Sequence, residues 1–313
     1  MKTNPTTLYR VACGVLASSL ALSAACSKKQ AAQEQAATSE LVSITIADTF
    51  ETPESVLYLA DGDVYLVSNV NGSAVAKDNN GFIARVSPDG QIVDPDWIAG
   101  GVNGAAIDAP KGMTVEGDTL FVTDVDVVRL FNLNTGAPLG SWEVVGSTFL
   151  NDIAAGPDGV IYVTDTGWVG TEDGFGQSGT DAIYRFSADG EAIVVAKDPS
   201  LGNPNGICVV DGGIVVVTYG TGEVFRMDPI TGERTNLPKP PTGQLDGIVL
   251  LDDGSFLVSS WEGESVYRLD PAGTYTTAAD HMPSPADIGY DTQRGYLLIP
   301  VFMESRVEIR ELD

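Results

Sequence analysis

Histidine is nearly absent, with His281 the only one in 313 residues. A catalytic triad built on imidazole, or an ordinary histidine zinc site, has almost nothing to draw on. Cysteine is scarce as well, at three. Cys13 and Cys26 fall in the N-terminal leader, so Cys208 stands alone in the folded part and no disulfide can form within it. Its place among alternating apolar residues predicts a small buried side chain in a strand. Positive charge is also short, 17 Lys and Arg against 43 Asp and Glu, for a formal charge of −26. Such a surface repels phosphate backbones, which argues against a nucleic-acid partner, and it attracts divalent cations.

The apolar stretch Val11 to Ala25 is too short, and too small in side chain, for a lasting transmembrane span. With Lys2 and Arg10 in the flanking region and Leu22-Ser23-Ala24-Ala25-Cys26 at its end, it reads as an export signal over residues 1–25. The ending resembles a bacterial lipoprotein box, which implies diacylation of Cys26. Ser27 after it then favours the periplasmic side of the outer membrane. An ordinary secretory cut near Ala25, giving a periplasmic or secreted protein, is the alternative. Residues 26–40 are polar and rich in Gln and Ala, a tether rather than a packed element. Membrane contact is therefore expected only through the lipid.

What the chain has in abundance is turns, including 35 glycines, and a repeat. Asn151 to Asp165 (NDIAAGPDGVIYVTD) opens on a polar residue, runs apolar, turns on Asp158-Gly159 and returns as an alternating strand. Related copies begin at Glu54, Lys111, Asn205, Asp246 and Ala286, at spacings of 57, 40, 54, 41 and 40 residues. A period near 40 in an all-strand chain predicts one four-stranded blade per copy, hence an all-β, six-bladed β-propeller over residues 41–313. The sixth copy ends without a fourth strand. Leu41 to Phe50 is expected to supply it and close the ring, which removes two exposed sheet edges.

In a propeller the first strand of each blade lines the channel, so Glu54, Lys111, Asn151, Asn205, Asp246 and Ala286 should converge on one mouth. The ends of the second strands, Asn69, Asp124, Asp165, Tyr219 and Ser260, are expected on the same face. Two carboxylates and two carboxamides make a hard, oxygen-only donor set, suited to Ca²⁺, Mg²⁺ or Mn²⁺, with no Cys or His placed for ordinary zinc ligation. Asn-Gly and Asp-Gly at a loop-to-strand junction also serve simply to make the turn. The two long spacings put extra residues at Val70 to Gly81 and Thr166 to Thr180, where Gly-rich loops would rise over that mouth.

The set Glu54-Ser55, Asn151-Asp152, Asn205-Gly206 and Asp246-Gly247 resembles, in order and in blade, the gluconolactonase and regucalcin (senescence marker protein) propellers. That resemblance implies one divalent cation, Ca²⁺ first with Mg²⁺, Mn²⁺ or Zn²⁺ as other occupants, held by Glu54, Asn151, Asn205 and Asp246. Asp246 would double as general base in hydrolysis of a lactone or related ester of small size. Val56 replaces the family's usual Pro. Phe149 stands where sugar-lactone members place an Arg, and with Trp168 it favours a less polar ligand. Lys111 is the candidate to orient an anionic substrate group. A non-catalytic envelope propeller that binds a ligand or scaffolds other proteins is the alternative. Paraoxonase-like chemistry relies on histidines, and His281 lies outside the set.

Overall fold

The computed structural model describes residues 41–172 and 174–312. The signal peptide, Cys26 and the tether expected over residues 26–40 lie outside the described residues. Six four-stranded antiparallel sheets follow one another along the chain, each a blade of a β-propeller. The inner strands of blades one to five are Pro53–Leu59, Pro110–Glu116, Leu150–Ala155, Pro204–Val210 and Leu245–Leu250. The sixth is short, Gly289–Asp291, with Ala286 and Asp287 just ahead of it. Asp287 is nonetheless joined to blade one, because its N–H donates to the Glu54 carbonyl at 2.9 Å.

The ring closes as the missing fourth strand predicts. Ser43–Ile46 pairs antiparallel with Arg306–Glu311, Ser43 opposite Arg310 and Ile46 opposite Val307, as the outermost strand of blade six. Phe50, between this strand and blade one, is 3% exposed and packs with Ile46, Val56 and Val307.

Propeller blades bury both faces, and the packing shows why the strands are apolar at successive positions. In Val64–Asn69, Tyr65 and Val67 pack toward blade six while Leu66, between them, packs toward blade two. Six apolar clusters each straddle one blade boundary, for example Tyr162 and Ile183 of blade three with Ile207 and Val216 of blade four. Each Val or Leu fully buried there contributes about 1.5–3 kcal/mol. Cys208 lies in its predicted strand but is only half buried, against the cluster between blades four and five.

Of the two long insertions, Thr166 to Thr180 contains an ordered two-stranded hairpin, Trp168–Thr171 paired with Gly174–Gln177. The other, Val70 to Gly81, has no regular strand and is fastened at its base by the Asn71 amide on the Asn80 carbonyl at 2.8 Å.

Candidate active site at the channel mouth

Each inner strand of blades one to five carries a β-bulge at the position singled out from the repeat. In blade three Leu150 faces Asp165 and Ile153 faces Val163, so Asn151 and Asp152 together oppose the single residue Thr164. Lys111, Asn205 and Asp246 sit in the same two-against-one arrangement, and Glu54 is the extra residue of blade one. A bulge re-aims the side chain it carries. Here it turns one polar residue per blade out of the inter-blade packing and into the channel mouth.

Hydroxyls on the second strands hold these bulges. Ser68 Oγ accepts the Ser55 N–H at 2.9 Å, Thr164 Oγ1 accepts the Asp152 N–H at 3.0 Å, and Ser259 Oγ accepts the Gly247 N–H at 2.7 Å. Thr164 also donates to the Asn205 carbonyl at 2.6 Å, Ser259 donates to that of Ala286 at 2.8 Å, and Thr123 donates to that of Asn151. Each of these three hydroxyls thus fixes, by its backbone, the residue that opens the next blade's copy. These Ser and Thr residues were not among the residues singled out, although a Ser or Thr before the last residue of the second strand recurs in the repeat as Ser68-Asn69, Thr123-Asp124, Thr164-Asp165 and Ser259-Ser260.

The expectation for the strand ends needs correcting. Asn69, Asp124 and Asp165 do not face the cavity. Asn69 accepts the Glu51 N–H at 3.0 Å, Asp124 accepts that of Ala109 at 2.7 Å and pairs with Arg129 at 2.8 Å, and Asp165 accepts those of Phe149 and Gly167 at 3.0 Å each. They pin the segment that enters the inner strand. In blade four this place across from Pro204 belongs to Thr218, so Tyr219 lies one residue further on and does reach the mouth.

Glu54, Lys111, Asn151, Asn205, Asp246 and Ala286 line one cavity of about 580 Å³, together with Phe149 and Trp168. Four oxygens there, Glu54 Oε2, Asn151 Oδ1, Asn205 Oδ1 and Asp246 Oδ1, are buried without a hydrogen-bond donor. The Asn151 amide group is already committed, donating to Thr166 Oγ1 at 2.9 Å, which leaves its oxygen for the cavity. Burial, with Asp246 and Asp287 nearby, holds the Glu54 carboxyl well above the usual range, and Lys111 offsets part of this. Burial and then Asp287 do the same to Asp246, eased by the Trp261 indole and the Asn205 amide turned toward it. Asp287 itself is pushed up to about 7 by burial, against the lowering effect of its hydrogen bond from Ser55.

A divalent cation fits this donor set. It would satisfy four orphan acceptors at once and remove the repulsion between two buried carboxylates. Among the described residues no group of three or more His, Cys, Asp and Glu is arranged to hold a metal, so the two amides would be needed as donors. Lys111 is 1% exposed, its Nζ donating to the Ala109 carbonyl at 2.9 Å and standing 4.5 Å over the Phe149 ring. Burial lowers its pKa, while Glu54 and Asp124 pull it back. His281 is exposed in a loop beside Asp280, outside the cavity.

Phe175, Trp261 and Phe302, which were missed as site residues, also line the cavity, with the Tyr219 expected on that face. Tyr219, Trp261 and Phe302 each come directly after the second-strand residues Thr218, Ser260 and Val301, just beyond the repeated pattern.

Fold and site together define a six-bladed propeller with an oxygen-lined pocket at one mouth of its channel. Within that class the chain belongs to the SMP-30/gluconolactonase/LRE-like family, whose model matches residues 52–287. No curated protein matches the sequence. Among solved structures, a gluconolactonase from Xanthomonas campestris superposes with a TM-score of 0.68 at 17% identity, covering 88% of this chain and 90% of that one. Virginiamycin B lyase from Staphylococcus aureus gives 0.62 at 14% identity, over 88% of this chain and 100% of that one. The nidogen/laminin complex gives 0.57 at 19%, over 73% and 80%. At these identities the likeness is one of fold.

Proposed function

We propose that the chain is a divalent-metal-dependent hydrolase of a lactone or related ester, with its cation at the channel mouth. The observation that carries this reading is the set of four buried oxygens without donors, one each from Glu54, Asn151, Asn205 and Asp246, in a single cavity. Family membership supports the same chemistry. A cation bound by these residues would polarise the substrate carbonyl and stabilise the charge that develops on its oxygen.

The chain's own residues supply the rest. The Asp246 carboxylate accepts a proton from the attacking water. Glu54, Asn151 and Asn205 fix the donor set. Lys111 already pairs its ammonium with a carbonyl and a ring, so its part is to offset the negative charge of the floor rather than to recruit an anionic substrate. The lipid anchor at Cys26 and a place at the periplasmic side of the outer membrane remain part of this proposal.

The test is metal analysis of purified protein followed by a screen of lactones and esters with and without chelator. One equivalent of cation, turnover abolished by chelation, and loss of turnover in Asp246→Ala with an unchanged circular dichroism spectrum are expected. Bound cation with no turnover of any ester would instead make this a ligand-binding propeller.

A further inference from the structure

The wall of the cavity is as particular as its floor. Phe149 meets Trp168 at 5.3 Å between ring centroids, Trp168 meets Tyr219 at 4.9 Å, Tyr219 meets Trp261 at 5.8 Å, and Trp261 meets Phe302 at 5.6 Å. Phe175, from the hairpin, stands 5.8 Å from Trp168. The belt therefore runs without a break from blade three to blade six. Blade one adds Ala74 to the lining, and Val70 and Val125 pack with it and Phe149 in a cluster separate from those between blades.

A polyhydroxylated ring in this space would bring several hydroxyls against carbon. Each one stripped of water without a partner costs about 1–3 kcal/mol. The wall has few partners for them: the Lys111 ammonium is already turned to the Ala109 carbonyl and the Phe149 ring, and beside it stand only the hydroxyls of Tyr219, Thr52 and Ser73. Trp261 Nε1 is a buried donor, turned toward Asp246 without completing a hydrogen bond to it. A ligand with a single acceptor oxygen beside an apolar body would give that N–H a partner and bring few polar groups of its own against carbon. The cavity volume lies in the range that holds such small ligands.

Building on the hydrolase reading above, we infer that the substrate is a neutral, largely apolar lactone or ester, its body held by the belt and one oxygen reaching Trp261 Nε1. Sugar lactones are then poor substrates despite the family name.

The experiment compares kcat/KM of the metal-loaded protein for 3,4-dihydrocoumarin, δ-decalactone and glucono-1,5-lactone. In parallel, tryptophan fluorescence is titrated with 3,4-dihydro-2-quinolinone, a lactam isostere that is not hydrolysed, and with gluconolactam. The expected result is a preference of roughly 100-fold or more for the two apolar lactones. Phe302→Ala should raise KM for both by about tenfold with kcat within about twofold, the mark of lost uniform binding. Trp261→Phe keeps an aromatic ring in the belt, smaller and without the N–H, and should raise KM for the same lactones.

Glucono-1,5-lactone turned over as well as the apolar pair would overturn the inference and leave the hydrolase standing. If no lactone is hydrolysed but the quinolinone binds at least tenfold tighter than gluconolactam, the hydrolase falls and the apolar pocket stands. Failure of the quinolinone to bind, with no apolar lactone hydrolysed, would sink the inference.

Discussion

Asn151 shows how much one residue can carry. Its amide group donates to Thr166 while its oxygen stays buried without a donor, and its backbone carbonyl is held by Thr123 of the preceding blade. Replacing it by Ala should leave the fold in place but weaken the cation. On the proposed reading, Ca²⁺ at 100 times its Kd would add about 2.7 kcal/mol to the stability of the wild type. Asn151→Ala should lose most of that calcium-dependent rise in Tm in a thermal-shift titration, and an undiminished rise would remove Asn151 from the donor set. The four oxygen-bearing positions were legible because the repeat fixes their register: whatever opens one copy must sit beside whatever opens the next. Tyr219 was read one place early, since Val217 stands where other second strands have Ser or Thr and nothing in the pattern marks the slip. Trp261 and Phe302 follow the strands that the repeat defines, so periodicity had no hold on them.

At the scale of elements, the bulges decide what the inner strands can do. They place Gly206 and Gly247 right after Asn205 and Asp246, where the next blade leaves no room. A Cβ on Gly206 would come within 2.3 Å of the Asp246 carbonyl oxygen, a backbone atom that cannot rotate away. Gly206→Ala should therefore force blades four and five apart at the level of Asn205 and Asp246. Overpacking of this kind costs about 1–3 kcal/mol, and a chain of this size loses about 2–4 °C of Tm per kcal/mol. The calcium-dependent rise in Tm should vanish along with it. Gly62→Ala, where an added Cβ meets the Val64 side chain at 3.4 Å and the tip of Arg85 at 3.9 Å, both in ordinary contact, serves as the control and should melt like wild type. None of this geometry was readable beforehand, because a two-against-one bulge leaves the alternation on either side intact. The Gly after Asn205 and Asp246 looked like turn chemistry; its reason is the closeness of the neighbouring blade.

Across the whole molecule, six blades hold one another, and the ring has a single seam. It is sealed by Ser43–Ile46 on Arg306–Glu311, reinforced by Thr45 donating to Glu308 at 2.9 Å and by the Val42 N–H on Glu311 at 2.9 Å. Removing residues through Ile46 strips the outer strand of blade six and exposes a sheet edge. A lower Tm and light scattering that grows with protein concentration are expected; an unchanged Tm would show that the five other blade contacts suffice. The architecture was legible in full, down to this closing strand, because a period near 40 and a last copy one strand short leave few ways to arrange the chain.

The seam also sets an order of events in time. Val42 and Glu311 are 269 residues apart in sequence, so the strand made first must wait, unpaired, for the strand made last. Loop-closure entropy grows only slowly over such a span, each doubling adding about 0.6 kcal/mol, and the delay is one of synthesis more than of search. At about 5–20 residues per second, the closing strand stays without its partner for some tens of seconds, short and polar on its outer side, while five complete blades assemble behind it.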